Sequence, residues 1–371
     1  MEEFFATRVV RNAMPTQLDI LALEPFYGGV RKAMLETIMR CSRHRWTLLK
    51  LPPRRIERRL SAAAHWFAEQ LSRHWVGRVD VLFTSEALNL ADLIRFVPHL
   101  KRKPSVVYFH SNQLPDPDRA GEVLGRDLVN LSTAQAAQEL WFNSEYHREL
   151  FMYRGKALVS KHPELSARNP LPELIAKSHL MPPPLDLPVP GEFPPVDWET
   201  RQRILFTETR DADMPLLNEA LATLDARSEP YELITVGPVE ELTTQTARTT
   251  VPEADFAGQS DALLRAGLFV SSHRDPSMDY FAIRSIASRC WPILPAEGIY
   301  REMIPHRLHE SCLYEPTPFN LAGLIQDAWL FFDPPRGAGD AFVTMLGSYD
   351  AIAACKLFDD RLSDLASRHP G

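Results

Sequence analysis

Residues 18–29 read L-D-I-L-A-L-E-P-F-Y-G-G, and residues 30–41 follow at once as V-R-K-A-M-L-E-T-I-M-R-C. Residues 18–23 have the near-continuous apolar character of a strand buried on both faces. In the next stretch Val30, Ala33, Met34, Ile38 and Cys41 recur at helical spacing, with Arg31, Lys32 and Glu36 on the other side. A strand, a glycine turn and an amphipathic helix open a βαβ unit, and the pattern repeats. Residues 46–51, 79–83, 106–109 and 140–142 are further short apolar runs separated by helical stretches. Strands alternating with helices require right-handed crossovers and a parallel sheet, so the expected class is doubly wound α/β.

Seven prolines fall within residues 182–195, beginning with three in a row. Proline fixes φ and lacks an N–H, which makes this stretch an extended, semi-rigid connector. Beyond it, residues 203–206, 231–236, 268–270 and 291–294 are strand-like, while 216–224 and 261–266 are helical. The expected division is a first Rossmann-like domain over residues 16–182, a proline-rich linker over 183–197, and a second Rossmann-like domain over 198–345. Residues 346–371 then carry a helix near 349–366 that packs back on the first domain. Two such domains face each other across a cleft at their strands' carboxyl edges, where open α/β sheets bind ligands.

The length of 371 residues agrees with two domains, because one core seldom grows beyond about 250–300 residues. With 45% hydrophobic and 24% charged residues, wholesale disorder is excluded. No apolar run reaches the roughly 18–20 residues that span a bilayer, and residues 1–5 are acidic where a secretory signal is basic, so a cytoplasmic protein without membrane contact is expected. Cys41, Cys290, Cys312 and Cys355 lie far apart and read as reduced, mostly buried thiols; no metal-ligand cluster is evident. Nothing in the sequence sets an oligomeric state.

The net charge of −7 conceals two unlike parts. Residues 1–110 hold 18 Lys+Arg against 10 Asp+Glu, and the remainder holds 23 against 38. Arg40, Arg43, Arg45, Lys50, Arg54, Arg55, Arg58 and Arg59 crowd one segment, interleaved with Trp46, His65 and Trp66, and Lys101, Arg102 and Lys103 form a second patch. The spacing Arg54-Arg55-x-x-Arg58-Arg59 groups four guanidiniums on a helical turn. Such a surface meets a polyanion or is a solvated basic helix, and charge alone leaves both readings open.

Two strand-to-helix positions carry chemistry. Gly28 and Gly29 let the backbone approach a phosphate at a helix N-terminus, although a tight turn needs glycine too. His110-Ser111-Asn112-Gln113 ends the fourth strand, where a histidine can bond a sugar hydroxyl or serve structure.

Five blocks in order resemble the tRNA-queuosine α-mannosyltransferase family: residues 19–29, 44–53 (HRWTLLKLPP), 80–93 (DVLFTSEALNLADL), 104–113 (PSVVYFHSNQ) and 141–144 (WFNS). Residues 290–295 (CWPILP), 300–305 and 312–314 continue it more faintly. The resemblance implies a GT-B-like pair of Rossmann-type domains and retaining transfer of mannose from GDP-mannose to queuosine in a tRNA anticodon. No metal or other cofactor is required. It also implies that Gly28 and Gly29 form the phosphate-side loop, with Lys32 on the helix behind. His110 is then the catalytic candidate, Asn112 and Gln113 complete an H-E-N-Q block, and Ser111 stands where that block has glutamate.

The second domain departs from the family pattern. Thr209 and Met214 replace an arginine and a lysine expected to hold the donor diphosphate, with Arg210 one residue out of register. Losing one such donor typically costs about 2.7–4 kcal/mol of transition-state stabilisation. Two glutamates eight residues apart are also expected. An ungapped alignment puts Pro276 and Arg284 there, with Asp279 on a glycine. A three-residue deletion instead makes Asp279 the first acid, followed by Ala287. Arg210 then reads as a substitute cation or a partner of Asp211 or Asp213, Pro276 as the first turn of a helix, and Arg284 as a phosphate ligand or a rim ion pair. Two functions follow: a divergent hexosyltransferase acting on tRNA or another acceptor, or a catalytically silent tRNA-binding relative. Convergence of Arg210 and Arg284 on one anion site favours the first.

Overall fold

The structure is a computed structural model that describes residues 17–73, 77–117, 126–161, 169–188, 203–210, 212–227, 230–244, 246–252, 255–274, 276–330 and 335–369. Most of the proline-rich linker expected at 183–197 lies outside these residues, from 189 onward.

The first sheet contains β1 (Asp19–Glu24), β2 (Arg45–Lys50), β3 (Val81–Ser85), β4 (Ser105–Phe109), β5 (Glu139–Phe142) and β6 (Ser178–Leu180). Their order is β2-β1-β3-β4-β5-β6, and every neighbouring pair is parallel. The second sheet contains β7 (Ile204–Glu208), β8 (Glu232–Val236), β9 (Arg248–Val251), β10 (Leu268–Val270), β11 (Trp291–Pro295) and β12 (Leu313–Tyr314), in the order β12-β11-β10-β7-β8-β9 and again all parallel. Central strands β3, β4 and β5 are buried throughout, whereas β2 sits at an edge and alternates between exposed and half-buried residues. That position explains why residues 46–51 lack a continuous apolar run. The three strands that apolar runs did not disclose, β6, β9 and β12, are short and lie at or next to sheet edges, where the ladder supplies hydrogen bonds without two buried faces.

Helices α1 (Gly29–Cys41), α2 (Ile56–Arg73), α3 (Leu90–Phe96), α4 (Arg126–Ala136) and α5 (Glu145–Lys161) flank the first sheet. Helix α1 buries Met34, Leu35 and Ile38 in a core shared with Cys355, Phe358, Leu362 and Leu365 of the final helix, Ala351–Arg368. Polar bonds fasten that helix as well. Asp359 accepts from Ser42 Oγ at 2.5 Å and Arg43 N at 2.8 Å, and Arg361 reaches the buried Glu139 at 2.7 Å. The four cysteines are free thiols, with Cys290, Cys312 and Cys355 buried.

The turn from β1 into α1 uses its two glycines for different reasons. Gly28 is extended, with φ −171°, but a Cβ there would lie 2.5 Å from Cγ of Pro53. Gly29 has φ +53°, in the left-handed region that favours glycine. The neighbouring β2–α2 loop is bonded to this turn through Tyr27 N to Leu51 O at 2.9 Å. Gly28→Ala should therefore destabilise the chain by about 1–3 kcal/mol through overpacking, read as a lower midpoint in urea. Gly323→Ala, in helix Pro318–Leu330 where an added Cβ meets nothing within 4 Å, should be neutral or stabilising.

Candidate active site

The carboxyl ends of β1, β3, β4 and β5 deliver Glu24 and the glycine turn, Glu86, His110-Ser111 and Asn143-Ser144 to one edge of the first sheet. Arg31, expected on the solvated side of α1, is instead buried and forms a two-point ion pair with the fully buried Glu86. The helix points this arginine at the sheet's carboxyl edge, where the carboxylate compensates its charge. The same carboxylate accepts from His110 N and Ser111 N, each at 3.2 Å, and from Ser111 Oγ at 3.0 Å. Glu24 is also buried; it accepts from Phe26 N at 2.7 Å, and desolvation raises its pKa against the opposing pull of Arg31. Because α1 begins at Gly28-Gly29 without a side-chain cap, its first N–H groups remain donors for an anion.

His110 is buried beside Tyr108, with ring centroids 4.7 Å apart, and desolvation lowers its pKa far below the ordinary histidine value. Its Nε2 is buried without a hydrogen-bond partner among the described residues, while its carbonyl accepts from Asn143 Nδ2 at 3.2 Å. The imidazole is neutral near pH 7 and suits hydrogen bonding to a hydroxyl more than proton donation. Asn143 in turn meets Nδ1 of buried His147 at 2.9 Å, and burial holds His147 at a pKa of about 3.

The second domain reaches the same edge. Ser277 Oγ donates to His110 O at 3.1 Å across the cleft. Asp279 caps helix Tyr280–Ala287 through Ala282 N at 2.9 Å and accepts from Tyr300 OH at 2.6 Å. The helix therefore starts at Tyr280, and Pro276 lies buried in the loop before it instead of in a first turn. Asp279 thus stands at the helix start, and Ala287, eight residues on, is buried at the helix end. Thr209 is buried, its hydroxyl committed to Val236 O at 3.2 Å and Pro238 O at 2.5 Å, and Met214 begins helix Met214–Asp225 partly packed on the core.

Between the sheets lies a cavity of about 330 Å³ lined in part by Gly29, Arg210, His273, Asp279, Tyr280 and Arg284. Arg284 is steadied by Gln259 Oε1 at 3.0 Å and Ser260 Oγ at 3.1 Å and lies near the rings of Tyr280 and Phe281. Both carboxylates on the wall have bonds of their own: Asp279 as above, and Glu208 from Arg210 N at 2.7 Å. A second cavity of about 560 Å³ adjoins Asn143, Ser144, Glu302 and Arg307. There Glu302 accepts from Glu145 N at 3.0 Å and Tyr146 N at 2.7 Å, so a carboxylate of one domain caps α5 of the other.

Other candidates lie apart from the cavity. Lys32 faces Glu36 at 3.8 Å on the surface of α1, Asn112 accepts from Leu114 N at 3.2 Å, and Gln113 N donates to Asn130 Oδ1 at 2.9 Å. Arg43 pairs with Asp360 and Arg45 with Asp19. Arg54 and Arg55 occupy the loop before α2 instead of a shared helical turn with Arg58 and Arg59, and the Arg58 side chain lies outside the description. Lys101, Arg102 and Lys103 lie on or just after the short 3-10 helix Pro98–Arg102, at the amino end of β4. Trp46 is half-buried and packs edge-on to Phe83, and Trp66 is half-buried against the core. Among the described residues, no three His, Cys, Asp or Glu side chains assemble a metal site, and no helix is long and apolar enough to cross a membrane. Glu86 was missed, although its place at a strand's carboxyl end was the signal used for His110.

Glu86→Gln should destabilise the chain by about 3–5 kcal/mol, because it leaves the Arg31 guanidinium buried without its counter-charge; an unchanged denaturant midpoint would contradict the pairing. His147 is held neutral, so the unfolded chain binds its proton more tightly. Its contribution is complete above pH ~6.5 and lost as pH falls, by about 2 kcal/mol at pH ~5. His147→Gln should remove that part of the acid sensitivity in unfolding measured at both pH values.

Residues 19–185 match the family described as tRNA-queuosine alpha-mannosyltransferase N-terminal. A Drosophila melanogaster protein described as tRNA-queuosine alpha-mannosyltransferase is 32% identical over 155 residues, which is 40% of this chain and 40% of the relative. Three solved structures share the fold. Anabaena HepE in complex with UDP and glucose has a TM-score of 0.62 at 12% identity, covering 94% of this chain and 100% of that one. Sucrose-phosphate synthase from Thermosynechococcus elongatus has 0.64 at 15%, with 94% and 100% covered. An Escherichia coli structure described as trehalose-6-phosphate bound with UDP-2-fluoro glucose has 0.63 at 10%, with 93% and 99% covered. The two parallel six-stranded sheets thus form the GT-B glycosyltransferase fold.

Proposed function

We propose that this chain, whose residues 19–185 match the tRNA-queuosine alpha-mannosyltransferase N-terminal family, is a cytoplasmic retaining hexosyltransferase with a remodelled donor site, acting on queuosine in tRNA or a related acceptor. Family resemblance makes GDP-mannose the donor. The observation that carries this reading is that Arg210, Arg284 and Gly29, at the uncapped start of α1, line one cavity between the two sheets.

In such a transfer negative charge develops on the departing diphosphate. Donors fixed in advance at that position lower the barrier because they need not reorganise. Here two guanidiniums and the N–H groups at the start of α1 take that part. They replace the cations absent at Thr209 and Met214. Asp279 is the surviving acid on the donor side, held by Tyr300 and by its own helix. His110, neutral and buried at the cleft edge outside the cavity lining, is the catalytic candidate of the first domain, and its carbonyl ties Asn143 and Ser277 together beside the site.

Isothermal titration with GDP and GDP-mannose tests the proposal. Both should bind, and Arg210→Ala with Arg284→Ala should weaken GDP by at least about a hundredfold, since two hydrogen bonds to a charged group at roughly 1.5 kcal/mol each, the low end for such bonds, already give about 3 kcal/mol. Absence of binding at millimolar ligand, alongside salt-sensitive tRNA binding, would replace the transferase reading with that of a silent tRNA-binding relative.

A further inference from the structure

The basic residues of the first domain divide by where the parallel sheet puts them. Arg40, Arg43 and Arg45 lie at the end of α1 and the amino end of β2, and each is neutralised: by Asp186 at 3.0 Å, Asp360 at 2.8 Å and Asp19 at 2.7 Å. Lys101, Arg102 and Lys103 also lie at the amino edge, before β4. Lys50 ends β2, and Arg54, Arg55, Arg58 and Arg59 follow its carboxyl end, the edge that carries the glycine turn.

The loop bearing them is built against that turn. Pro53 occupies the space a side chain at Gly28 would need, Tyr27 N bonds Leu51 O, and Arg59 holds Pro52 O at 3.4 Å. Lys50 Nζ lies 4.1 Å from the centroid of Tyr27, one residue before the glycines. Arg55 has φ +53°, an uncommon conformation for a side-chain-bearing residue, and it turns the chain into α2. Lys50, Arg54 and Arg55 are exposed and form no ion pair among the described residues. A strip of unneutralised cations therefore leads over Gly28 to Gly29, which lines the cavity with Arg210 and Arg284.

We propose that the β2–α2 loop is the docking rim for the phosphodiester backbone of the polynucleotide acceptor. Lys50, Arg54 and Arg55 hold phosphates flanking the nucleoside that enters the cavity, and Lys101–Lys103 take no part. This inference rests on the tRNA-directed reading above and adds the surface and the residues. The contacts are electrostatic and independent of sequence, since phosphate recognition by Lys and Arg fixes register without reading bases.

Anisotropy titrations with labelled bulk tRNA between about 50 and 200 mM salt test the rim. Two triple variants remove the same charge: Lys50→Gln with Arg54→Gln and Arg55→Asn, and Lys101→Gln with Arg102→Gln and Lys103→Gln. Asparagine tolerates the left-handed backbone at position 55, and circular dichroism checks folding. The first variant should flatten the slope of log affinity against log salt by about 2, at roughly 0.7 per single-strand phosphate contact. The second should leave it unchanged, and Arg54→Lys with Arg55→Lys should retain the original slope. Equal losses in both triple variants, or a larger loss in the second, would overturn the docking rim while leaving tRNA binding intact. No tRNA binding by the unaltered chain would overturn the rim together with the tRNA-directed reading.

Discussion

A carboxylate with no exposure to solvent, Glu86, joins four parts of the cleft edge: the guanidinium of Arg31 on α1, the backbone of His110 and Ser111 at the end of β4, and the Ser111 hydroxyl. Burying both charges is expensive in itself, and the pair is tolerated because nearly every lone pair is used. The result is positional. The start of α1, the end of β3 and the end of β4 are held in one rigid frame, and the α1 N–H groups meet the cleft in a fixed direction. The same frame puts the His110 carbonyl where Ser277 of the other domain can donate to it.

The second domain completes the cleft. The Thr209 hydroxyl pins the β7 loop to Val236 and Pro238. Asp279 is held between Tyr300 and the first turn of its helix. Arg284, braced by Gln259 and Ser260, brings a cation to the wall of the cavity that Arg210 also lines. The acidic balance of residues 111–371 therefore misleads at this spot, because both wall carboxylates are engaged and two arginines line the cavity.

Much of the fold was legible because central strands of a parallel sheet are buried on both faces and read as apolar runs, as at β3, β4 and β5. Strands β6 and β9 were not legible, because half-exposed strands such as S-H-L and R-T-T-V carry no such signal. Helical periodicity placed Arg31 outside, since it cannot see a compensating carboxylate arriving from another strand. Counting arginines grouped Arg43, Arg45, Arg54 and Arg55 as one surface, yet the parallel topology sends the first two and the last two to opposite edges. Gly28, Gly29 and His110 are legible as turn and strand-end positions because those are local features; Glu86 occupies the same kind of position, but its pairing with Arg31 joins two distant elements and leaves no local signal.

Hydrogen exchange with and without GDP addresses the central claim, that the α1 start and the two arginines form one anion site. GDP should slow exchange at the backbone amides of residues 29–32 and of the loop around Arg210, while leaving the amides of residues 101–103 unaffected. GDP binding that leaves residues 29–32 unprotected would contradict the account.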